Sequence, residues 1–428
     1  MNEKLVVAVD FGNSKIAVAV ALKKEENQLQ MVDFIKIDSN ENLISNGKIV
    51  DNAALANEVI TLIRQIESNN NLKIDKIHFA AAPHTLRSEI RKISVERSNL
   101  NSQSEDNERL TDAAEDVEIS DTRCVFDVAR LETTFGSKAE GNFLLISSQN
   151  AVKEQFVNFK NSSLSAYKPK CFVAPLVEAE QFLSSEQKKN GALLVDFGAG
   201  CTSFAVYQND FPRLCAVIPL GSKHITKDIH KHFNILEVTA EKLKSESIYG
   251  LALRDNLKLK GTDISIDQNV LKAVIHARLD EIFKFVFDEL KSQKQENINE
   301  IVLVGGGADM IFLPEYLKKI SGKEVKIANF SVDTNSRTKD FICNENALLF
   351  ALLKNCNEDC SKFEEKPVLP NLTEDELKQL EIARKKREDD EKKELLKKQR
   401  ELDKIQKKNR GIRNMFQDWF GEETPIEN

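Results

Sequence analysis

Two segments of this 428-residue chain carry residue types at a spacing suited to holding an anion. Asp10-Phe-Gly-Asn-Ser-Lys-Ile-Ala-Val-Ala-Val20 aligns without a gap on Asp196-Phe-Gly-Ala-Gly-Cys-Thr-Ser-Phe-Ala-Val206, with Asp, Phe, Gly, Ala and Val at the same offsets. Each segment lies between two apolar runs, so each reads as a β-hairpin whose turn opens with Asp-x-Gly. Gly12, Gly198 and Gly200 permit a tight backbone and close approach by a ligand. Successive backbone N–H groups in such a turn form an anion-binding concavity. Asn13, Ser14 and Thr202 add donors, and Lys15 adds a point charge suited to phosphate. Asp10 and Asp196 alone would repel phosphate. They make sense as Mg²⁺ ligands acting through its waters, because Mg²⁺ favours one or two carboxylates together with phosphate oxygens. Either turn alone is equally an ordinary Asp-Gly hairpin. Two copies in register point to two similar lobes facing one another across a ligand.

A third element has the same flavour. Ile301-Val-Leu-Val runs as a buried strand into Gly305, Gly306 and Gly307. That side-chain-free backbone suits a purine or ribose, or serves simply as a strand-to-helix turn. Glu241 and Lys244, at i and i+3, share one helix face. They would contact adenine and ribose, or form a surface ion pair.

The elements that must position these groups alternate in type over the first 350 residues. Leu5–Val9, Ile16–Leu22, Asn142–Ser147, Ala192–Val195, Ser203–Tyr207 and Ile301–Val304 read as strands. Helical spacing covers 52–67, 151–160, 224–233, 238–246 and 347–353. It is clearest over 270–290, where Leu271, Val274, Ile275, Leu279, Ile282, Phe283, Val286 and Leu290 trace one stripe. Residues 99–120, dominated by Asn, Ser, Glu and Asp, read as a long surface excursion.

Composition narrows the function class. A net charge of −7 and a pI near 5.7 argue against a general nucleic-acid binder. No apolar run reaches the length of a membrane span, and the start has no signal core, so the expected compartment is the cytosol. Seven scattered cysteines read as free thiols. Cys356-Asn-Glu-Asp-Cys360 has no second ligand pair nearby in sequence, so zinc is not expected. His224, His230 and His232 do not share a helix face and read as exposed or core-edge residues.

Composition shifts after Pro367 and Pro370. Residues 384–410 hold 13 Lys/Arg and 7 Asp/Glu with few apolar residues, which suits a solvated arm. Beyond it Ile412, Met415, Phe416, Trp419 and Phe420 fall on one helical stripe. Such a helix lies in a membrane interface, or docks on the protein's own core. Lys407, Lys408, Arg410 and Arg413 would add roughly 1 kcal/mol each near anionic lipid.

Taken together, Asp10-Phe-Gly-Asn-Ser-Lys, Asp196-Phe-Gly-Ala-Gly-Cys-Thr and Val304-Gly-Gly-Gly-Ala308 resemble the two phosphate loops and the adenosine motif of the actin–Hsp70–sugar-kinase ATPase superfamily. Gly221-Ser-Lys-His-Ile-Thr-Lys-Asp-Ile229, Ala240-Glu-Lys-Leu-Lys244, His276-Ala-Arg-Leu-Asp-Glu-Ile282, Ala174-Pro-Leu-Val-Glu-Ala-Glu180 and the tail are similar to segments of the bacterial FtsA family. The resemblance covers residues 1 to about 355 plus the tail. It implies an α/β, two-lobed actin-like fold closing on ATP and Mg²⁺, with Asp10 and Asp196 at the metal and Cys201 and Gly221 joining the cofactor-binding residues. Lobe 1 would comprise 1–82 and 166–192, with 343–360 returning to it. The inserted FtsA-type subdomain would be 83–165. Lobe 2 would be 193–342, with a small subdomain at about 236–299. A charged arm (361–410) and an amphipathic helix (411–421) would follow. The implied function is polymerisation at the septum as part of the divisome. There the protein would tether FtsZ filaments to the inner face of the cytoplasmic membrane, as a peripheral protein on anionic lipids. FtsZ's C-terminal tail would dock near Arg278, itself otherwise an ordinary exposed helix residue. Ser203 stands where relatives usually carry Asp, and no base to orient a water is apparent, so slow or absent hydrolysis is expected. The alternatives are a small-molecule kinase or chaperone-like ATPase, or a pilus or secretion-system scaffold, on the same fold.

Overall fold

A computed structural model describes residues 3–24, 28–97, 102–246, 256–258 and 265–361. Two five-stranded sheets share one strand plan. In the first, the consecutive strands Leu29–Asp38, Lys15–Lys23 and Lys4–Phe11 lie side by side antiparallel, in reverse of their chain order, followed by parallel His78–Ala81 and Lys170–Val173. In the second, Phe211–Ile218, Thr202–Gln208 and Ala192–Phe197 run antiparallel, followed by parallel Glu300–Val304 and Glu324–Ile327.

The duplication extends to register. Asp10 pairs with Ala17 and Phe11 with Ile16; Asp196 pairs with Ser203 and Phe197 with Thr202. The middle strand of each trio carries an irregularity against the third strand at Val20/Ala21 and at Val206/Tyr207, again corresponding positions. A bulge bends and twists a strand locally, so each lobe curls its sheet at the same place relative to its Asp.

Near-continuous apolar runs make these central strands. Val6–Val9 and Ile16–Ala21 are buried throughout, as strands covered on both faces must be. Helix Asn52–Asn70 covers the first sheet through Leu55, Val59, Ile63 and Ile66; Asp51 caps its start and left-handed Asn71 ends it. Helix Gln268–Ser292 covers the second sheet with Leu271, Ile275, Leu279, Ile282, Phe283, Val286 and Leu290. Each such fully buried side chain contributes about 1.5–3 kcal/mol of transfer free energy.

A third, antiparallel sheet orders Arg87–Glu96, Lys138–Gln149 and Arg123–Phe135. Its first strand touches the edge of the second sheet, where Cys215 N–H donates to Ser88 Oγ at 2.7 Å. Residues 99–120, expected as a surface excursion, instead contain helix Gln103–Glu115. Its inner stripe is only Asp106, Leu110 and Ala114, too sparse to register as periodicity, and Asp106 is buried because Arg97 pairs with it at 2.9 Å. No described helix is long and apolar enough to cross a membrane. The charged arm and the stripe Ile412, Met415, Phe416, Trp419 and Phe420 lie outside the described residues.

Candidate functional site: a cleft between two hairpin turns

The two Asp-x-Gly turns meet. A Cβ built on Gly200 would fall 2.1 Å from Asn13 Oδ1, so the second turn packs backbone-first onto the Asn13 amide of the first. Only glycine permits that approach. Asn13 is buried; its Nδ2 donates to the Ile44 carbonyl, and its Oδ1 accepts from Gly47 N–H, both at 3.4 Å.

Around this contact open two hollows of about 120 and 240 Å³ that share Asp10, Gly12, Asn13, Asp196, Gly198, Ala199 and Leu348. The smaller also meets Gly200 and Cys201. The larger is lined further by Ser14, Lys15, Glu241, Gly305, Gly306 and Gly307, all expected site residues. Gly305 adopts φ +86, and a Cβ there would strike Asp196 Oδ1 at 2.1 Å; a Cβ on Gly307 would strike Phe197. The triple glycine is therefore what lets this turn lie against the second Asp hairpin, while a Cβ on Gly306 would come within 3.3 Å of Glu345 Cβ.

Three expected residues stand behind the cleft rather than in it. Thr202 Oγ1 donates to the Leu220 carbonyl at 2.8 Å and is fully buried, so its hydroxyl serves the fold. Gly221 packs on the carbonyls of Gly198 and Ala199; there Ser222 and Lys223 N–H each donate at 2.9 Å, tying helix Ser222–Phe233 to the second turn. Lys244 is buried and pairs with Glu241 at 2.8 Å while donating to Thr226 Oγ1 and the Ser222 carbonyl. The Glu241–Lys244 pair is thus present, with Glu241 toward the cleft and Lys244 turned inward.

Electrostatics concentrate at the floor. Burial pushes the Asp196 carboxyl up to about 7, with the Asp10 charge adding to the rise and Lys15 opposing it. Asp10 is raised by burial and partly relieved by Lys15, whose Nζ lies 3.5 Å away. Glu178 on helix Ala174–Phe182 is buried, and its carboxyl is held far above the usual range by burial and by Asp196 and Asp10. Its Oε2 has no hydrogen-bond partner. Three buried carboxyls whose ionisation burial disfavours, one with an orphaned oxygen, are a donor set suited to a hard divalent cation.

Sequence reasoning missed Glu178; the available signal was a carboxyl on the otherwise apolar inner face of Ala174, Val177 and Ala179. It also missed Glu345 and Asn346, which accept from Lys15 through the Glu345 carbonyl and Asn346 Oδ1. Lys15 is therefore shared between Asp10 and the chain returning from the second lobe. Arg278 is not a free cation: Nε and Nη2 donate to the Asp228 carboxylate at 2.6 and 3.0 Å, and Nη1 donates to Glu281. His224 and His230 are half-buried and His232 exposed.

The family described as Cell division protein FtsA matches residues 193–343. The chain is 23% identical over 362 residues to the cell division protein FtsA of Buchnera aphidicola subsp. Baizongia pistaciae, covering 76% of this chain and 84% of the relative. It is 25% identical over 352 residues to that of Bacillus subtilis, covering 77% and 79%. A stretch of 159 residues, 34% of this chain and 38% of the relative, is 35% identical to that of Neisseria meningitidis serogroup B. Among solved structures, a chain of the PilM-PilN type IV pilus biogenesis complex matches with a TM-score of 0.58 at 16% identity, covering 81% of this chain and 97% of that one, a likeness of fold.

Proposed function

Because the chain is related to the FtsA proteins along three quarters of its length and has the actin-like ATPase fold, we propose that it is an ATP-binding cell-division protein that self-associates and tethers FtsZ filaments to the membrane. One observation carries the nucleotide reading: the duplicated turns meet at Asn13 and Gly200, with Asp10, Asp196 and Glu178 gathered beside them. A triphosphate would take the turn N–H groups on both sides. Mg²⁺, when bound, would neutralise phosphate charge, held by Asp10 and Asp196 with Glu178 beside them. Glu178, whose carboxyl burial and the neighbouring Asp196 and Asp10 hold well above its ordinary range, is also the group that would be placed to take a proton from a water in that cleft. The Gly305–Gly307 backbone suits a nucleoside, with Glu241 at its edge.

The tether reading rests on the sequence stripe Ile412, Met415, Phe416, Trp419 and Phe420. A two-turn helix binds weakly alone, and a polymer multiplies it. FtsZ's C-terminal tail, anionic lipids and further divisome proteins are the proposed partners, and the inner face of the membrane at the division site the proposed location. An acidic tail peptide reaching Arg278 would have to replace Asp228 and Glu281, so the neighbouring surface, rather than an idle guanidinium, would set its affinity. Flotation with anionic vesicles tests the tether. The full chain is expected to float, more with ATP than without, and the chain ending at Arg410 to stay behind. Equal flotation of the two overturns it.

A further inference from the structure

Outside the residues that line the cleft, the fold gathers three buried ligating side chains. His78 opens the strand His78–Ala81, Cys356 follows helix Ala347–Asn355, and Cys360 lies four residues on. All three are at most 2% exposed. Their atoms form a triangle: Cys356 Sγ to His78 Nδ1 3.4 Å, Cys360 Sγ to His78 Nδ1 3.6 Å, and Cys356 Sγ to Cys360 Sγ 3.8 Å. Spacing within 356–360 gave no second ligand pair, since the third ligand is 278 residues upstream of Cys356.

We propose that His78, Cys356 and Cys360 form a binding site for a thiolate-seeking metal ion, zinc in the first instance. The edges match the coordination polyhedron. A tetrahedron built on Zn–S of about 2.3 Å and Zn–N of about 2.0–2.1 Å has edges of about 3.8 Å between sulfurs and about 3.5–3.6 Å between sulfur and nitrogen. The Glu358 carbonyl oxygen, 3.4 Å from Cys356 Sγ and 3.8 Å from Cys360 Sγ, is the candidate for the fourth vertex. A dication with two thiolates, a neutral imidazole and a carbonyl is net neutral, which a buried site requires. Loading forms two Zn–S bonds and one Zn–N bond and releases the two thiol protons to solvent. Two sulfurs and an imidazole favour Zn²⁺ or Cu⁺ over Mg²⁺, so this site would not compete for the cation of the cleft.

The surroundings hold the ligands in place before any ion arrives. Glu358 is pinned by Lys76 at 2.9 Å and Lys170 at 3.1 Å. Cys360 N–H donates to the Leu5 carbonyl at 2.7 Å, and its own carbonyl accepts from Asp75 N–H at 2.8 Å. A metal here would rivet the segment after the last helix onto the first sheet.

The test uses the full chain, purified under reduction and stripped with a chelator. One equivalent of Co²⁺ should produce the near-ultraviolet thiolate-to-cobalt band, which Zn²⁺ should displace. Zn²⁺ should also raise the melting temperature of this chain but not of C356S/C360S. Cys360→Ser and His78→Gln, each removing a direct ligand, should weaken Zn²⁺ binding by more than the roughly 10- to 100-fold that loss of an outer-shell partner costs, whereas Cys215→Ser, which alters a thiol elsewhere, should leave the cobalt band intact. Absence of the band from the reduced wild-type chain, or its persistence in C356S/C360S, overturns the assignment. So does isolation of a Cys356–Cys360 disulfide whose reduced form takes up no cobalt.

Discussion

Asn13 and Gly200 form the tightest contact between the two Asp-x-Gly turns, and it leaves no room for a methyl group. Gly200→Ala must move the Asn13 amide or separate the turns. It should cost about 1–3 kcal/mol, as overpacking does, and weaken nucleotide binding by at least tenfold, both measurable by thermal denaturation with and without ATP. Unchanged affinity would show that the turns need not touch to bind. The carboxyls beside them give a pH signature. The Asp196 carboxyl is near 7 in the folded protein against an ordinary 3.8. The folded state then holds a proton that the unfolded state has lost, so this contribution is complete below about pH 4 and disappears as pH rises through 7. Asp10 and Glu178 shift in the same direction. Without a divalent cation, the melting temperature should therefore fall between pH 5 and pH 7.5. Mg²⁺ with ATP should flatten that slope, because the cation takes the protons' place. A slope indifferent to Mg²⁺-ATP would place the cation elsewhere. Asp10, Asp196 and the glycines were legible in sequence because a turn's chemistry is local. Glu178 was not, since what makes it unusual is the company of two carboxyls from other segments.

Among the elements, helix Gln103–Glu115 shows where local reading stops. Its polar composition argues for a loop, yet one buried ion pair, Asp106 with Arg97, and the small apolar pair Leu110 and Ala114 hold it to the third sheet. Removing one partner of a buried pair leaves the other charge desolvated, a loss of about 3–5 kcal/mol. Asp106→Ala should therefore loosen this helix selectively, seen as faster proteolysis within 98–120 while the two five-stranded sheets keep their protection. Uniform protection would mean the pair is dispensable. The long amphipathic helix Gln268–Ser292 was, by contrast, plain from spacing alone, because seven apolar side chains on one face leave no competing period.

At the level of the whole molecule, strand order and register carry the duplication much further than the eleven aligned residues do. A ligand clasped from both sides should protect both hairpins together. With Mg²⁺ and ATP, amide exchange in peptides spanning 8–17 and 194–203 should slow by tenfold or more in each. Protection of one alone would contradict the clasp. Neither the paired bulges nor the thiol–imidazole cluster was legible in sequence, because both depend on which strands become neighbours.

Twin halves have a cost: they offer an asymmetric guest two equivalent headings. Lys15 of the first copy corresponds to Cys201 of the second, an ammonium against a thiol, on the borders of the larger and smaller hollows respectively. That divergence breaks the tie. The negative end of an occupant gains one preferred direction, so a cradle built from matching halves acquires handedness, which Glu241 and the Gly305–Gly307 turn on the same larger hollow reinforce.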